Sequence, residues 1–516
     1  MSMGRSRSVV LVGMEGHLIE VEADVGQSLP AFVLLGLPDA SLRESQDRIR
    51  SAAKNTGLDL PARRLTVNLL PASLPKSGSG LDLAILMSSW AADGRMVGTA
   101  ETVFLAELGL DGRLRPVAGV LPAAAAAARA GAGTLVVSRE NAAEAALVPG
   151  LDVLAASHLR EVAVAFRAPC AEIPVFEGEG VDRHLGGGGP ATPPPEEVVP
   201  DLAEVRGQHE ARFALEVAAA GGHHLLLIGA PGAGKTMLAE RLPGILPPLD
   251  DEAAMEVTAI TSVSAEVEAV NRLVRRPPFE APHHSASTAS IVGGGARLAH
   301  PGAVTRAHRG VLFLDEAPEF QRPVLDALRQ PLETGRIQLH RSAGAVTYPA
   351  GFQLVMAANP CPCGMSVGDA MACTCSVVQR RGYLGRLSGP LLDRIDLQVQ
   401  VERPRSAALA LDGDGESSAA VRTRVKRARS AQRDRLGKWG MSTNSQVPLS
   451  LLSRELRLPS EVTAALDRAL DLAMLSLRGY VRVLRLAWTL ADLTGRSAPE
   501  PEDVDIALQL RQRTAD

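Results

Sequence analysis

The chain has 516 residues, of which 46% are hydrophobic and 22% charged, material for about three or four globular domains with cores of their own. Lysine and arginine total 54 against 58 aspartates and glutamates, a net charge of −4, so no global basic charge marks a polyanion binder and any such site must be local. Aromatic residues at 3% disfavour base-stacking platforms as the main device, and glycines or charges cut every apolar run short of the roughly 20 residues a membrane helix needs.

In chain order, residues 1–13 carry two arginines but no apolar stretch leading to a cleavage site, so no secretory signal is expected. Strand-like runs at 32–35, 65–69 and 134–137 alternate with helical patterns over 40–53 and 121–130, an α+β or α/β unit. The alanine run at 123–128 reads as a packed helix. Gly186-Gly187-Gly188-Gly189 and Pro193-Pro194-Pro195-Glu196-Glu197 then form a linker, too glycine-rich to pack and stiffened by proline at its exit. From Asp201 to Val401 the pattern is strand, glycine loop, helix, with 224–228 and 311–314 reading as buried parallel strands. Residues 335–349 read as two alternating strands around Ser342-Ala343-Gly344, a hairpin. A polar, glycine-rich break covers 403–418, and the remainder turns helical, its last helix opened by Pro499-Glu500-Pro501-Glu502-Asp503. No internal repeat occurs at solenoid periods.

Gly229-Ala230-Pro231-Gly232-Ala233-Gly234-Lys235-Thr236 fits G-x-x-x-x-G-K-[ST], between an apolar strand and a helical pattern at 237–242. Glycines let backbone N–H groups turn inward around phosphates beside the positive end of the helix. Lys235 would reach the β- and γ-phosphates of ATP, and the Thr236 hydroxyl would ligate Mg²⁺. Asp315 and Glu316 follow a second apolar strand. Asp315 is suited to hold Mg²⁺ through its water shell, and Glu316, one residue beyond, to polarise the attacking water.

Four of the five cysteines crowd into 361–375 as two C-x-C pairs, which is no disulfide framework, and a reducing, cytoplasmic location is expected. Cys361, Cys363, Cys373 and Cys375 suit a tetrahedral Zn²⁺, although one-residue spacing departs from the common C-x₂₋₄-C; the alternative is four reduced thiols in a loop. Residues 422–438 hold eight basic side chains and one acidic, with Val421, Val425, Ala428, Gln432, Leu436 and Trp439 at helical spacing. That is an amphipathic helix whose cationic face is either solvated or set against a DNA backbone.

These residues resemble an AAA+ ATPase, and more closely the ComM/YifB-type magnesium-chelatase-like proteins. The resemblance also rests on Val205-Arg206-Gly207-Gln208, Ala281-Pro282-His283-His284-Ser285, Gly293-Gly294-Gly295, Leu328-Arg329-Gln330-Pro331-Leu332-Glu333, Ala358-Asn359-Pro360-Cys361-Pro362-Cys363-Gly364 and the run from Leu387 to Asp396. It implies an α/β chain with a Lon-protease-like α+β domain (1–180), a linker (181–200), an AAA+ P-loop α/β core (201–402) and a helical C-terminal lid (403–516). By this similarity Asn359 resembles sensor 1 and Arg394 the arginine finger given to a neighbouring subunit, so a homo-hexameric ring is implied. Arg478 resembles the sensor-2 arginine, with Arg482 one turn on as the rival.

Residues 283–309 and the hairpin at 335–349 resemble insertions of hexameric helicases of the minichromosome-maintenance type, which would aim His340 and Arg341 into a pore to hold DNA phosphate. In the Lon-like domain Ser79 lies near the place of the protease's serine loop. The stretch after Gly119, Val120-Leu121-Pro122-Ala123-Ala124, carries no lysine or histidine to serve as its base. Proteolysis is therefore not expected, and an interaction or DNA-guiding collar is. The function implied is an ATP-driven DNA motor, a branch-migration enzyme or helicase in recombination of incoming DNA. The alternatives are the ATPase subunit of a magnesium chelatase and a protein-remodelling chaperone, for which Tyr348 is the pore aromatic on offer.

Overall fold

The computed structural model describes residues 3–37, 40–74, 76, 78–169, 181–185, 199–264, 270–295, 300–341, 344–366, 373–403 and 415–511. The glycine and proline runs of the expected linker, residues 404–414 of the second break and the hairpin tip Ser342-Ala343 lie outside them.

The first strands are β1 (Gly4–Val12), β2 (Glu15–Val25), β3 (Ala31–Leu35), β4 (Arg64–Leu70) and β5 (Thr102–Leu105). A short ribbon follows, β6 (Glu107–Leu108) with β7 (Leu114–Arg115), then β8 (Thr134–Ser138), β9 (Asp152–Ala156) and β10 (Asp182–Leu185). All but the ribbon join one eight-stranded mixed sheet, ordered β10-β9-β8-β5-β1-β2-β4-β3. Alternation sends side chains to two apolar faces. Phe104 of β5 packs with helices Ala40–Thr56 and Asp82–Ala92, whereas its neighbours Val103 and Leu105 pack with helix Val120–Arg129. The alanine run lies in helix Val120–Arg129, buried through Ala123, Ala124 and Ala127. Strand β10 pairs antiparallel with β9, so this sheet runs past residue 180.

The second sheet is five-stranded and wholly parallel, in the order β12 (Phe279–Glu280), β13 (Val311–Leu314), β16 (Gln353–Ala358), β11 (Leu225–Ile228), β17 (Leu397–Gln400). The central strands β13, β16 and β11 are covered on both faces, which is why they are almost wholly apolar, whereas the edge strand β17 alternates Leu-Gln-Val-Gln. Leu225 and Leu227 of β11 point to one core and Leu226 to the other. Between β13 and β16 runs the expected hairpin, β14 (Arg336–Arg341) with β15 (Gly344–Pro349), in a register pairing His340 with Ala345 and Arg341 with Gly344. Tyr348 on β15 is 1% exposed and packs in the core, so it presents no aromatic to a pore.

The C-terminal helices share the core of β11, β13 and β17. Helix Ser418–Leu436 buries Val421, Val425, Ala428, Gln432 and Leu436, the stripe expected from the sequence. Its basic face is largely inward-acting, which corrects the expected cationic outer surface. Arg422 donates to Gly244 O (2.7 Å), Arg427 to Leu493 O (3.1 Å) and Arg429 to Ala219 O (2.7 Å). Arg424 grips Glu216 (2.6 Å) and Arg435 grips Asp492 (2.7 Å). Long arginine stems reach over neighbouring helices and spend their charge on carbonyls and carboxylates there.

The two sheets are joined by the helix Asp251–Ser264, whose Met255 and Ala259 pack on the N-terminal core. Gly119 donates its N–H to Ser262 O (3.0 Å), and buried Glu144 accepts from Leu121 N (2.8 Å) and from the Ser262 hydroxyl.

Where β11 and β17 begin, His223 and Asp396 are buried together beside the half-buried His224. Asp396 accepts from His224 N (3.2 Å) and from Arg482, and His223 Nδ1 stands 3.4 Å from it. Burial opposes its charge, yet Arg482 and His223 hold its carboxyl well below the usual carboxylate range. Burial lowers both histidines, His224 to about 4. At His224 the unfolded chain therefore binds a proton near pH 6.5 that the folded one refuses until about 4, and His223 acts in the same direction. Stability is full above this window and falls on acidification through it, by up to about 3 kcal/mol from His224. Urea unfolding near pH 7 and pH 5 should show this loss, and His224→Gln should make it smaller. An unchanged difference in that variant would remove His224 from the account.

Candidate nucleotide-hydrolysis site

Because β16 lies between β11 and β13, the three strands end side by side. The phosphate loop leaves β11, Asp315 leaves β13 and Asn359 leaves β16. Gly229 N donates to Ala358 O (3.1 Å), locking the loop's first residue to the strand that carries Asn359. Gly232 (φ +73°) and Gly234 (φ +90°) are left-handed, a backbone that other residues rarely adopt, and the loop curls before helix Lys235–Ile245.

Lys235 is buried and donates to Gly229 O (2.7 Å), Ala230 O (3.1 Å) and Asn359 Oδ1 (3.0 Å). Burial lowers its pKa below the ordinary lysine value, opposed by Asp315 and Glu316. Thr236 Oγ1 donates to Asp315 Oδ2 at 2.7 Å, so the hydroxyl and carboxylate expected on Mg²⁺ already meet. Glu316 adopts φ +49°, with its N–H on Asp315 Oδ1 (2.9 Å). A non-glycine residue in this conformation costs of order 1–3 kcal/mol and is held by its surroundings, here turning the chain sharply just after the strand.

Two residues quoted without a role in the sequence also belong here. Gln208 Nε2 donates to Ala233 O, while its Oε1 is buried with no hydrogen-bond partner among the described residues. Such an orphaned acceptor beside the phosphate loop fits a nucleotide donor. His284 Nδ1 stands 3.4 Å from Glu316 Oε2, its ring against that of His283 (4.1 Å). Their residue types alone carry no signal; the quoted runs around them were the only one.

The arginines lie elsewhere. Arg394, Arg478 and Arg482 line a cavity of about 820 Å³ with Arg429, Arg433 and Arg485. His224 and Gln353 on its wall mark it as the edge where β11 and β16 begin, opposite the phosphate loop. Arg394 pairs with Glu333. Arg478 is 70% exposed and touches Asp393 (3.1 Å), whereas Arg482, at 14%, is committed to buried Asp396. The sheet therefore separates both sensor-2 candidates from the phosphate loop of their own chain. The reason is the shared core: helix Leu477–Thr494, which carries them, packs beside the sheet.

The four cysteine sulfurs all lie within 4.8 Å of one another. His340 is exposed on β14, and Arg341 ends that strand. Ser79 bonds Glu107, and Lys76 Nζ bonds Pro71 O, so neither makes a serine–lysine pair with the other in these contacts.

A parallel sheet with a phosphate loop, an Asp-Glu pair and an asparagine on three adjacent strand ends is the arrangement of the P-loop nucleotide-binding class. The family described as magnesium chelatase, subunit ChlI, matches residues 201–409, with related matches at 21–141 and, as its C-terminal part, 415–511. The chain is 48% identical over 517 residues to an uncharacterized protein of Mycobacterium tuberculosis, covering 100% of both chains. It is 41% identical over 499 residues to the competence protein ComM of Haemophilus influenzae, covering 96% of this chain and 94% of that one. To YifB of Escherichia coli it is 40% identical over 495 residues, again 96% and 94%. The chain belongs to the ComM/YifB-type magnesium-chelatase-like family, an AAA+-related family that implies ATPase activity.

Proposed function

We propose that this protein is a ring-forming, cytoplasmic AAA+ ATPase that spends ATP hydrolysis on remodelling DNA, by branch migration or unwinding. The observation carrying it is the separation just described: Lys235, Thr236, Asp315, Glu316 and Asn359 at one sheet edge, Arg394 and Arg478 at the other. An arginine on the far edge cannot reach its own chain's γ-phosphate, but around a closed ring it meets the next chain's. Six subunits are the proposed number. Thr236 and Asp315 would hold Mg²⁺, which when bound neutralises phosphate charge. Glu316 takes the proton of the attacking water, and Asn359 orients the γ-phosphate beside Lys235. Of the two sensor-2 candidates, Arg478 is the better suited because its charge is accessible, while Arg482 is held by Asp396.

His340 and Arg341, near the tip of the β14–β15 hairpin, are the proposed DNA contacts, and ComM's printed role as a competence protein supports DNA as the load. The buried Tyr348 weighs against a polypeptide-pulling chaperone. The eight-stranded N-terminal unit serves as a Lon-like collar without proteolysis, since Ser79 is engaged by Glu107 and the stretch Val120–Ala124 after Gly119 carries no lysine or histidine. Zn²⁺ at the four cysteines completes the cofactor set.

The test is strand displacement from fluorescent branched DNA with Mg²⁺ and ATP. Wild-type protein should resolve the branch. The double variant His340→Ala, Arg341→Ala should retain basal ATP turnover while displacement falls by about tenfold or more, as losing phosphate contacts weakens the grip. Displacement by the variant at the wild-type rate would reject the hairpin as the DNA contact.

A further inference from the structure

The four cysteines take no part in the phosphate chemistry, yet they are built against it. Sγ of Cys361 lies 3.3 Å from that of Cys363 and 3.7 Å from that of Cys373, and Cys363 and Cys373 are 3.7 Å apart. Four sulfurs each about 2.3 Å from one zinc ion sit about 3.8 Å from one another, so these spacings suit a shared metal. All four cysteines are free thiols, not disulfides. Backbone N–H groups of Met365 and Ser366 lie near the Cys361 sulfur, and those of Met365 and Thr374 near that of Cys363. Donors of this kind stabilise metal-bound thiolates from outside the ligand set. The narrow C-x-C spacing is accommodated by a turn, in which Gly364 N donates to Cys361 O (3.0 Å) and brings both sulfurs to one side.

The same turn touches the phosphate loop. Gly364 adopts φ +75°, and a Cβ there would stand 2.4 Å from Pro231 Cδ, so its backbone rests directly on the loop's proline. Asn359, which bonds Lys235, lies two residues before Cys361 in the sequence. On the far side Cys375 leads into Ser376, whose capping box opens helix Val377–Leu384. We propose that Cys361, Cys363, Cys373 and Cys375 hold one Zn²⁺ that fixes Pro231 and Asn359 in their ATP-binding geometry, so that metal occupancy sets the affinity for ATP. This requires that the phosphate loop binds ATP and is independent of whether DNA is the load.

Binding the metal replaces thiol protons and costs no oxidant or reductant. Its effect on ATP is pre-organisation. If the loop holds its binding form about a tenth of the time without the metal, the apparent Kd rises about tenfold.

The experiment uses the full chain, purified under reducing conditions without chelators. Elemental analysis should give about one zinc per chain, and Co²⁺ exchanged in its place should show the absorption of a tetrahedral thiolate site. The Kd for a fluorescent ATP analogue, measured without DNA, should rise about tenfold when a mercurial reagent strips the zinc, and recover when thiol and Zn²⁺ are restored. Gly364→Ala keeps all four ligands. It should keep its zinc and still bind the analogue more weakly, which separates positioning of the loop from collapse of the fold. Protein without zinc, folded zinc-free protein with unchanged Kd, or zinc-loaded Gly364→Ala with unchanged Kd would each overturn the proposal. Zinc-loaded wild-type protein that binds no ATP would instead strike the nucleotide site itself.

Discussion

Glu316→Gln protein is expected to bind ATP about as well as the wild type and to hydrolyse it about 10²- to 10⁴-fold more slowly. The carboxylate lies past the end of β13 on a left-handed residue, free of the Thr236–Asp315 contact and beside His284. Replacing an oxygen with an amide leaves the turn and the loop intact while removing the proton acceptor. Lys235→Ala should behave differently. That ammonium ties Gly229, Ala230 and Asn359 together, and its loss takes away both the charge for the phosphates and the link between two strand ends. Binding itself should fail in Lys235→Ala, read by equilibrium titration with a fluorescent nucleotide. A Glu316→Gln protein that turns over at the wild-type rate would remove Glu316 from the role of base.

Arg394→Ala should bind ATP normally and lose about 10³- to 10⁵-fold in turnover, the usual worth of an arginine acting on a neighbour's γ-phosphate. Burial and the nearby Arg478, Arg329 and Arg482 all press on this guanidinium, and Glu333 is the carboxylate that offsets them. It is thus a concentrated charge suited to receive a phosphate from outside its chain. Mixing Arg394→Ala with Glu316→Gln should restore part of the activity, because some interfaces then pair an intact glutamate with an intact arginine. Two tags should confirm mixed assemblies. Confirmed mixing without recovery at any ratio counts against a site completed in trans, and full activity of Arg394→Ala alone overturns the assignment.

Local chemistry was the legible part of this sequence. Lys235, Thr236 and Asp315 were legible because they come after apolar runs that read as strands, and Asn359 through the family resemblance; the structure joins Lys235 to Asn359 and Thr236 to Asp315 by hydrogen bonds. The hairpin at 335–349 and the buried stripe of helix Ser418–Leu436 were legible for the same reason, as periods of two and 3.6. What stayed hidden depends on contacts distant in sequence. Nothing near Arg424 announces Glu216 (2.6 Å), so the basic helix read as an outer face when much of its charge works inward. Nothing near Arg478 says which edge of the sheet it meets, since that follows from how Leu486, Trp488 and Leu490 pack into the shared core. His284 reaches Glu316 because β12 and β13, which precede them, pair side by side in the sheet, a proximity only the fold supplies.

The most direct measurement of the central claim is the ATP turnover rate of the wild-type protein alone and with single-stranded, duplex and branched DNA, at one fixed salt concentration. A DNA motor predicts slow turnover alone and clear stimulation, strongest with the DNA form it acts on, that disappears in Glu316→Gln. Turnover that is the same with and without every DNA would contradict the account.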